Sequence, residues 1–154
     1  MSEMILGSFS QPGNDTVRLL RECDSGVKMG VSSIEDVMDD VQNRQLYDTL
    51  KSSLQEHRRL EQETRKMLRE FGEPDRDPPA IARGMSKMKT ELKMMTGDKD
   101  AAVADLIVTG CNMGVKSLSK YLNEFGAAQE RSKDIAKKLI SMESDLSENM
   151  RGYL

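Results

Sequence analysis

The segment Gly-Val-Lys-Met-Gly-Val-Ser-Ser-Ile at residues 26–34 returns at residues 110–118 as Gly-Cys-Asn-Met-Gly-Val-Lys-Ser-Leu. Five of the nine positions are identical, and the last position holds Ile in one copy and Leu in the other. Around both copies, apolar residues recur at steps of three and four, the pattern of an amphipathic helix. An offset of 84 residues relates these two helices, and an offset of 85 then aligns His57 with Met142 in the helices that follow. The repeat predicts an all-α fold made of two related helical hairpins.

Breaks in the apolar pattern set the expected ends of the helices. Asn14 or Asp15 fits the first N-cap, Gly72 ends the second helix, and Pro79 fits the start of a short third helix. We predict a flexible tail over 1–13 and a single domain over 14–154. Within the domain, a first hairpin over 15–71 has helices at 15–41 and 44–71, and a second hairpin over 99–152 has helices at 99–125 and 127–151. A crossover over 72–98 joins the two hairpins. The short break inside each hairpin requires its two helices to be antiparallel.

Each copy of the repeat carries Gly-x-x-x-Gly, which places Gly26 with Gly30, and Gly110 with Gly114, on one face of a helix. A glycine inside a helix costs about 1 kcal/mol relative to alanine, so four of them need a compensating reason. We predict that the first and fourth helices cross at these glycines with close backbone approach. The alternative is that the glycines leave room for a ligand or a bulky neighbour.

Composition excludes several classes of function. The chain has 154 residues, of which 37% are hydrophobic, 32% charged and 4% aromatic, and its net charge is −3. This balance fits one soluble domain and gives no general affinity for nucleic acid or for acidic lipid. No apolar run approaches the roughly 20 residues that span a bilayer, and the first 13 residues lack the pattern of a secretory signal. Cys23 and Cys111 lie far apart in the sequence and are expected as free buried thiols in the cytoplasm.

Two related hairpins joined by a long crossover resemble the ferritin-like superfamily of four-helix bundles, over about residues 15–152. The Met-Gly pairs at 29–30 and 113–114 also resemble those of small uncharacterised bacterial members of that superfamily. Di-iron members place Glu on one helix of each hairpin and Glu-x-x-His on the other. The corresponding positions in this chain are Leu54-x-x-His57 and Leu139-x-x-Met142. The resemblance therefore implies the fold without the di-iron ligand set.

His57 is the single histidine of the chain and lies on the apolar stripe of the second helix. Ser53, one turn before it, and Glu61, one turn after it, are both within reach along the helix. The simpler interpretation is a core histidine that is satisfied by such a neighbour. A metal site formed by His57 and Glu61 is the alternative.

Methionine is abundant, with 12 residues, and most of it is expected to fill an aliphatic core. Met29 and Met113 stand beside the paired glycines and are predicted to lie at the helix crossing. The alternative is a soft-metal site for Cu(I) with thioether and thiolate ligands inside the bundle. Its candidate ligands are Met29, Met113, Met142, Cys23 and Cys111. The Met-rich crossover helix is a further candidate, as an adaptable surface for a partner.

The sequence contains no P-loop, dinucleotide fingerprint or material for a catalytic triad, so we expect neither an enzyme nor a cofactor. The expected role is structural or interactive, through self-association, with a homodimer favoured. The alternative is a protein that binds a metal or a small ligand through His57, Glu61 and the Met and Cys interior.

Overall fold

The computed structural model describes residues 12–78 and 87–154. Within these ranges the helices are α1 (Pro12–Met38), α2 (Arg44–Glu70), α3 (Lys87–Met94), α4 (Lys99–Glu124) and α5 (Glu130–Met150), followed by a 3-10 turn at Arg151–Tyr153. The predicted all-α class, with four long helices and a shorter one between the hairpins, is confirmed. Most of the expected tail, residues 1–11, and the expected helix start at Pro79 lie outside the described residues. Pro12 and Gly13, which were also predicted to be tail, belong to α1.

Local chemistry explains several of the helix ends. Asn43 caps α2, because its side-chain oxygen accepts a hydrogen bond from Leu46 N at 2.9 Å. Asp98 caps α4 in the same way, through Asp100 N at 2.9 Å. Gly72 follows α2 with a φ of 73°, a conformation that a side chain would strain. The helix stop predicted at Gly72 is therefore confirmed.

The four long helices pack side by side as two antiparallel hairpins. α1 packs against α2, α4 packs against α5, and α1 also contacts both helices of the second hairpin. The ion pairs Glu63–Lys138 and Glu70–Arg131 show that α2 runs antiparallel to α5, because later residues of α2 meet earlier residues of α5. α4 is antiparallel to α5 as well, so the crossover joins two helices that run in the same direction.

Aliphatic side chains from all four long helices form the core in two clusters, one toward each end of the bundle. Leu20 and Leu139 belong to the first cluster, Leu50 and Val103 belong to the second, and all four are fully buried. Leu92 of α3 adds to the second cluster, so the short helix covers that end. In the described part of the chain, no helix is long and apolar enough to cross a membrane.

The two hairpins cap each other's loops in equivalent ways. Thr16, near the start of α1, accepts a hydrogen bond from Gln129 N at 2.8 Å. Asp100, near the start of α4, accepts one from Asn43 N at 3.0 Å. The two acceptors are 84 residues apart and the two donors are 86 apart, so the contacts correspond under the repeat. These long-range contacts support an internal duplication.

Asp15 takes part in the same junction. Its carboxylate is buried and accepts a hydrogen bond from Ala127 N at 3.1 Å. The prediction that Asn14 or Asp15 caps the first helix is wrong, because α1 already begins at Pro12. The polar residue at this position is used to hold the second hairpin rather than to start a helix.

Candidate functional site

A buried polar pair separates the two apolar clusters near the middle of the bundle. His57 of α2 is fully buried, and its Nε2 lies 3.4 Å from Oε1 of Glu143 on α5. On the other side of the ring, Nδ1 lies 2.8 Å from the carbonyl oxygen of Ser53. Ser53 was one of the neighbours expected to satisfy this histidine, and that expectation is confirmed. A charged partner from the other hairpin was not expected.

The surroundings of His57 favour its protonated form. Burial lowers the pKa of the ring, but the hydrogen bonds to Glu143 and to the Ser53 carbonyl raise it by more, together with the charges of Glu143 and Glu56. The pKa of His57 therefore lies above its ordinary value. Since a carbonyl oxygen can only accept, Nδ1 carries a proton and donates it to Ser53.

Two of the repeated glycines make room for this pair. A Cβ on Gly30 would lie 2.8 Å from Cδ2 of His57 and 3.4 Å from Oε1 of Glu143. A Cβ on Gly114 would lie 3.6 Å from Cδ of Glu143. The nearest atoms belong to side chains and not to the backbone of an opposing helix, which corrects the prediction of close backbone approach. The alternative, room for a bulky neighbour, describes both positions.

The other two glycines also face side chains. A Cβ on Gly26 would lie 3.4 Å from Cδ2 of Leu139, and a Cβ on Gly110 would lie 3.8 Å from Cε of Met88 on α3. Gly26 therefore admits a core leucine of α5, and Gly110 admits the short crossover helix. Gly30 and Gly114 thus share Glu143 as a neighbour, whereas Gly26 and Gly110 accommodate Leu139 and Met88.

Cys111 of α4 lies beside the same carboxylate. Burial raises the pKa of its thiol, and the charge and hydrogen bonding of Glu143 raise it further. Burial, followed by the charges of Glu22 and Asp24, raises the pKa of Cys23 to about 12. Both thiols are therefore protonated and weakly nucleophilic at neutral pH. The prediction that both cysteines are free and buried is confirmed.

The metal ligands suggested by the sequence do not converge. Glu61 pairs with Arg65 along α2, with 3.3 Å between Oε2 and Nη2, and the carboxylate at His57 is Glu143 instead. Each of the two candidate ligands thus has another partner, and the metal site of His57 with Glu61 stays a prediction. Among residues 12–78 and 87–154, no three His, Cys, Asp or Glu side chains are grouped so that they could hold a metal ion.

Met29 and Met113 lie on the outer surface of the bundle, with exposed fractions of 41% and 65%. Gly30 and Gly114 face the core, and successive residues of a helix point about 100° apart, so the methionine before each glycine is turned outward. The alternative of a soft-metal site inside the bundle is therefore corrected for these two ligands, and their place at the helix crossing stays a prediction. The two exposed side chains lie on α1 and α4, which pack against each other, and we call this pair the methionine seam.

Glu143 was missed in the sequence, although a signal for it was present. It stands four residues after Leu139 and three before Leu146, so it shares the buried face of α5 with Met142. An offset of 86 residues, rather than 85, aligns the first residues of α2 and α5, and it pairs His57 with Glu143. The offset of 85 is thus corrected by one residue. Met142 and Glu143 both lie on the buried face of α5, so helical spacing alone does not distinguish them.

A second buried charge pair holds the linker against α1. Nζ of Lys28 lies 2.8 Å from Oδ2 of Asp24, and both side chains are almost fully buried. Lys28 also donates to the carbonyl of Arg76, and Arg21 donates to the carbonyl of Pro74 at 2.9 Å. The sequence predicted only a linker here, but these contacts tie it to the first helix.

A groove of about 700 Å³ runs between α2 and α5. Ser53 and Met142 line it, and both are neighbours of the buried pair in sequence or in space. Glu56 and Asp145 also line the groove and make it acidic. The groove brings solvent close to the hydrogen bond between Ser53 and the His57 ring.

Comparison with known proteins bears on the fold. No protein-family model matches the chain, and no curated protein matches it. Among solved structures, the chain is similar to the crystal structure of a DUF305 fragment from Deinococcus radiodurans, with a TM-score of 0.70 and 15% sequence identity. The match covers 90% of this chain and 93% of that chain. At this level of identity, the likeness establishes a shared helical fold and carries no activity with it.

Proposed function

We propose that this protein is a non-enzymatic helical bundle that acts through self-association, as a homodimer, with the methionine seam as its contact surface. The observation that carries the proposal is the exposure of Met29 and Met113 at equivalent positions of the repeat. Methionine side chains are flexible and polarizable, which suits them to adaptable binding surfaces. A contact surface would explain why methionine is exposed at both equivalent positions, because the partner would bury the two side chains.

The duplication favours a second copy of the chain as the partner. Met29 and Met113 are related by the same offset as the glycines beside them, so the two methionines occupy equivalent positions of the repeat. In a C2 dimer one patch meets its own copy. A seam of this kind is self-complementary, because Met29 of one copy can pack against Met113 of the other.

The arrangement of the helices supports the ferritin-like superfamily as the finer classification. Two antiparallel hairpins are joined by a crossover between helices that run in the same direction, as in four-helix bundles with one long connection. Leu54 occupies the position of the glutamate in Glu-x-x-His, which supports a member that lacks the di-iron ligand set. We therefore propose a structural or interaction role rather than catalysis.

Sedimentation equilibrium of the full chain over the micromolar range tests the proposal. The wild type is expected to form a dimer, and Met29→Glu and Met113→Glu are each expected to raise its dissociation constant by about tenfold or more, since a buried charge would replace an apolar contact. Tyr47→Glu is the matched control, because Tyr47 is another partly exposed apolar residue, on α2. Circular dichroism of each variant checks that the helices are retained.

Two results would contradict the proposal. A wild type that stays monomeric throughout the concentration range would remove the dimer, and seam variants that associate as the wild type does would remove the seam. Elemental analysis of protein prepared without a polyhistidine tag tests the alternative, a protein that binds a metal. A stoichiometric metal that disappears in His57→Ala would support a ligand-binding protein instead.

A further inference from the structure

We propose that His57 and Glu143 form a one-proton switch in the core: the bundle is closed at its middle while the pair shares one proton, and it loosens there when that proton leaves. The inference does not depend on self-association. It rests on the position of the pair between the two apolar clusters and on the hydrogen bonds that each ring nitrogen can make.

The contact with Ser53 fixes the tautomer of the ring. The carbonyl oxygen of Ser53 accepts from Nδ1 at 2.8 Å, so Nδ1 keeps its proton whether or not the ring is charged. Nε2 therefore carries a proton only in the imidazolium form. That nitrogen is the one that faces Oε1 of Glu143 at 3.4 Å.

The pair needs one proton between Nε2 of His57 and Oε1 of Glu143. With one proton, either Nε2 donates to the carboxylate or the carboxyl group donates to Nε2, and the two atoms are joined by a hydrogen bond in both cases. Without it, a nitrogen lone pair faces a carboxylate oxygen in a water-poor core. The Cys111 thiol is then the remaining neighbour that donates to the carboxylate. A buried charge without a cation is unfavourable, so loss of the proton favours opening of this layer to water.

Among the described residues, none of the groups that face the gap between Nε2 and Oε1 is a cation; the Ser53 hydroxyl lies 3.3 Å from the other ring nitrogen, Nδ1. α1 contributes Gly30, which has no side chain, and α4 contributes Cys111, whose thiol remains protonated at neutral pH. On α2, Glu56 acts on the ring through its negative charge, which favours the imidazolium. The raised pKa of His57 agrees with this geometry.

The direction of the pH effect follows from the raised pKa. Unfolded His57 loses its proton near its ordinary pKa of about 6.5, whereas the folded pair keeps the proton to higher pH. Between these two values the folded state binds one more proton than the unfolded state, so the unfolding constant rises by up to about tenfold per pH unit. The stabilisation is fully present below about pH 6.5 and is lost as the pH rises through the folded pKa.

The wild-type chain offers a direct measurement, because His57 is its single histidine. In a tag-free sample, the ring carbon and proton resonances in an NMR titration belong to this residue alone. We expect the imidazolium signals to persist above the pH at which an unfolded histidine loses them. A ring that titrates at or below the ordinary value would overturn the proposal without any variant.

A pair of isosteric variants provides the second measurement. In Glu143→Gln, the amide donates to the unprotonated Nε2, so folding no longer needs the proton and the pH dependence of urea unfolding above pH 6.5 should disappear. Glu63→Gln removes a carboxylate from an exposed ion pair with Lys138 between the same two helices, and it should leave the pH dependence unchanged.

The comparison between variants decides the outcome. A wild-type unfolding constant that changes with pH no more than that of Glu143→Gln would refute the switch. If Glu63→Gln loses as much of the pH dependence as Glu143→Gln does, the effect belongs to surface charge, and the switch is refuted as well. If Glu143→Gln does not fold, the histidine titration in the wild type still decides between the two possibilities.

Discussion

Alanine substitution at the two matched glycines, Gly30 and Gly114, should change stability in opposite directions. The two positions correspond under the repeat, and both lie inside long helices, so the gain in helix propensity from Gly to Ala is the same, about 1 kcal/mol. The two positions differ in the space available for the added Cβ. The added Cβ would lie 2.8 Å from Cδ2 of His57 at the first position, but 3.6 Å from Cδ of Glu143 at the second.

The short distance at Gly30 is the costly one. A separation of 2.8 Å is well inside van der Waals contact, and the ring it meets is fully buried and hydrogen-bonded to Ser53 and Glu143. Forcing an extra carbon into a packed core costs about 1–3 kcal/mol, and weakening the hydrogen bonds of the ring adds about 1 kcal/mol. We expect Gly30→Ala to lower the free energy of unfolding by about 1–3 kcal/mol net of the helix gain.

Gly114→Ala has no such conflict, because 3.6 Å is an ordinary contact. It should raise the free energy of unfolding by up to about 1 kcal/mol. Urea unfolding of both variants and the wild type, followed by circular dichroism at one protein concentration and at pH 6, measures the difference. Equal changes at the two positions, or a stabilised Gly30→Ala, would refute the argument that the Gly30 position is kept small by the His57 ring.

Two further predictions concern contacts that join distant parts of the chain. Asp100→Ala removes the acceptor for the backbone N–H groups of Gln42 and Asn43. Thermal or urea unfolding should show that the free energy of unfolding falls by about 1 kcal/mol. Asp105→Ala, at an exposed position of the same helix, is the control. Lys28→Met leaves the Asp24 carboxylate buried without its cation and should cost about 3–5 kcal/mol, whereas the double variant with Asp24→Asn should recover most of the loss. A double variant no more stable than Lys28→Met would show that the linker contact, and not the buried charge, dominates.

Much of the fold was predictable because its signals are local. The apolar spacing located four long helices, and the Asn43 break and Gly72 marked two of their ends within one or two residues of those observed. The start of α1 was misplaced because Asp15, a good capping residue, is used for a contact 112 residues away. Local propensity cannot distinguish a cap from a long-range acceptor, since both functions select the same short polar side chain.

The candidate site was predictable only in part. His57 was identified as a core residue, and its contact with Ser53 was within the reach of helix geometry because the two residues lie one turn apart. Its partner Glu143 was not identified, because Met142 and Glu143 both fit the apolar stripe of α5 and the repeat offset is uncertain by one residue at a loop. With the offset changed by one residue, the partner of His57 is the carboxylate of Glu143 and not the thioether of Met142, so the core holds a polar pair at this position.

The sequence by itself determined the all-α class, the two related hairpins and the identity of the repeated Gly-x-x-x-Gly segments. These features depend on the 3.6-residue period of the helix, which each segment carries within its own residues. Only the tertiary structure decided that Gly30 admits a histidine ring, that Glu143 faces that ring, and that Met29 and Met113 face outward. Those outcomes depend on the rotation and register of one helix against another, which are set by the fit of side chains across all four helices together.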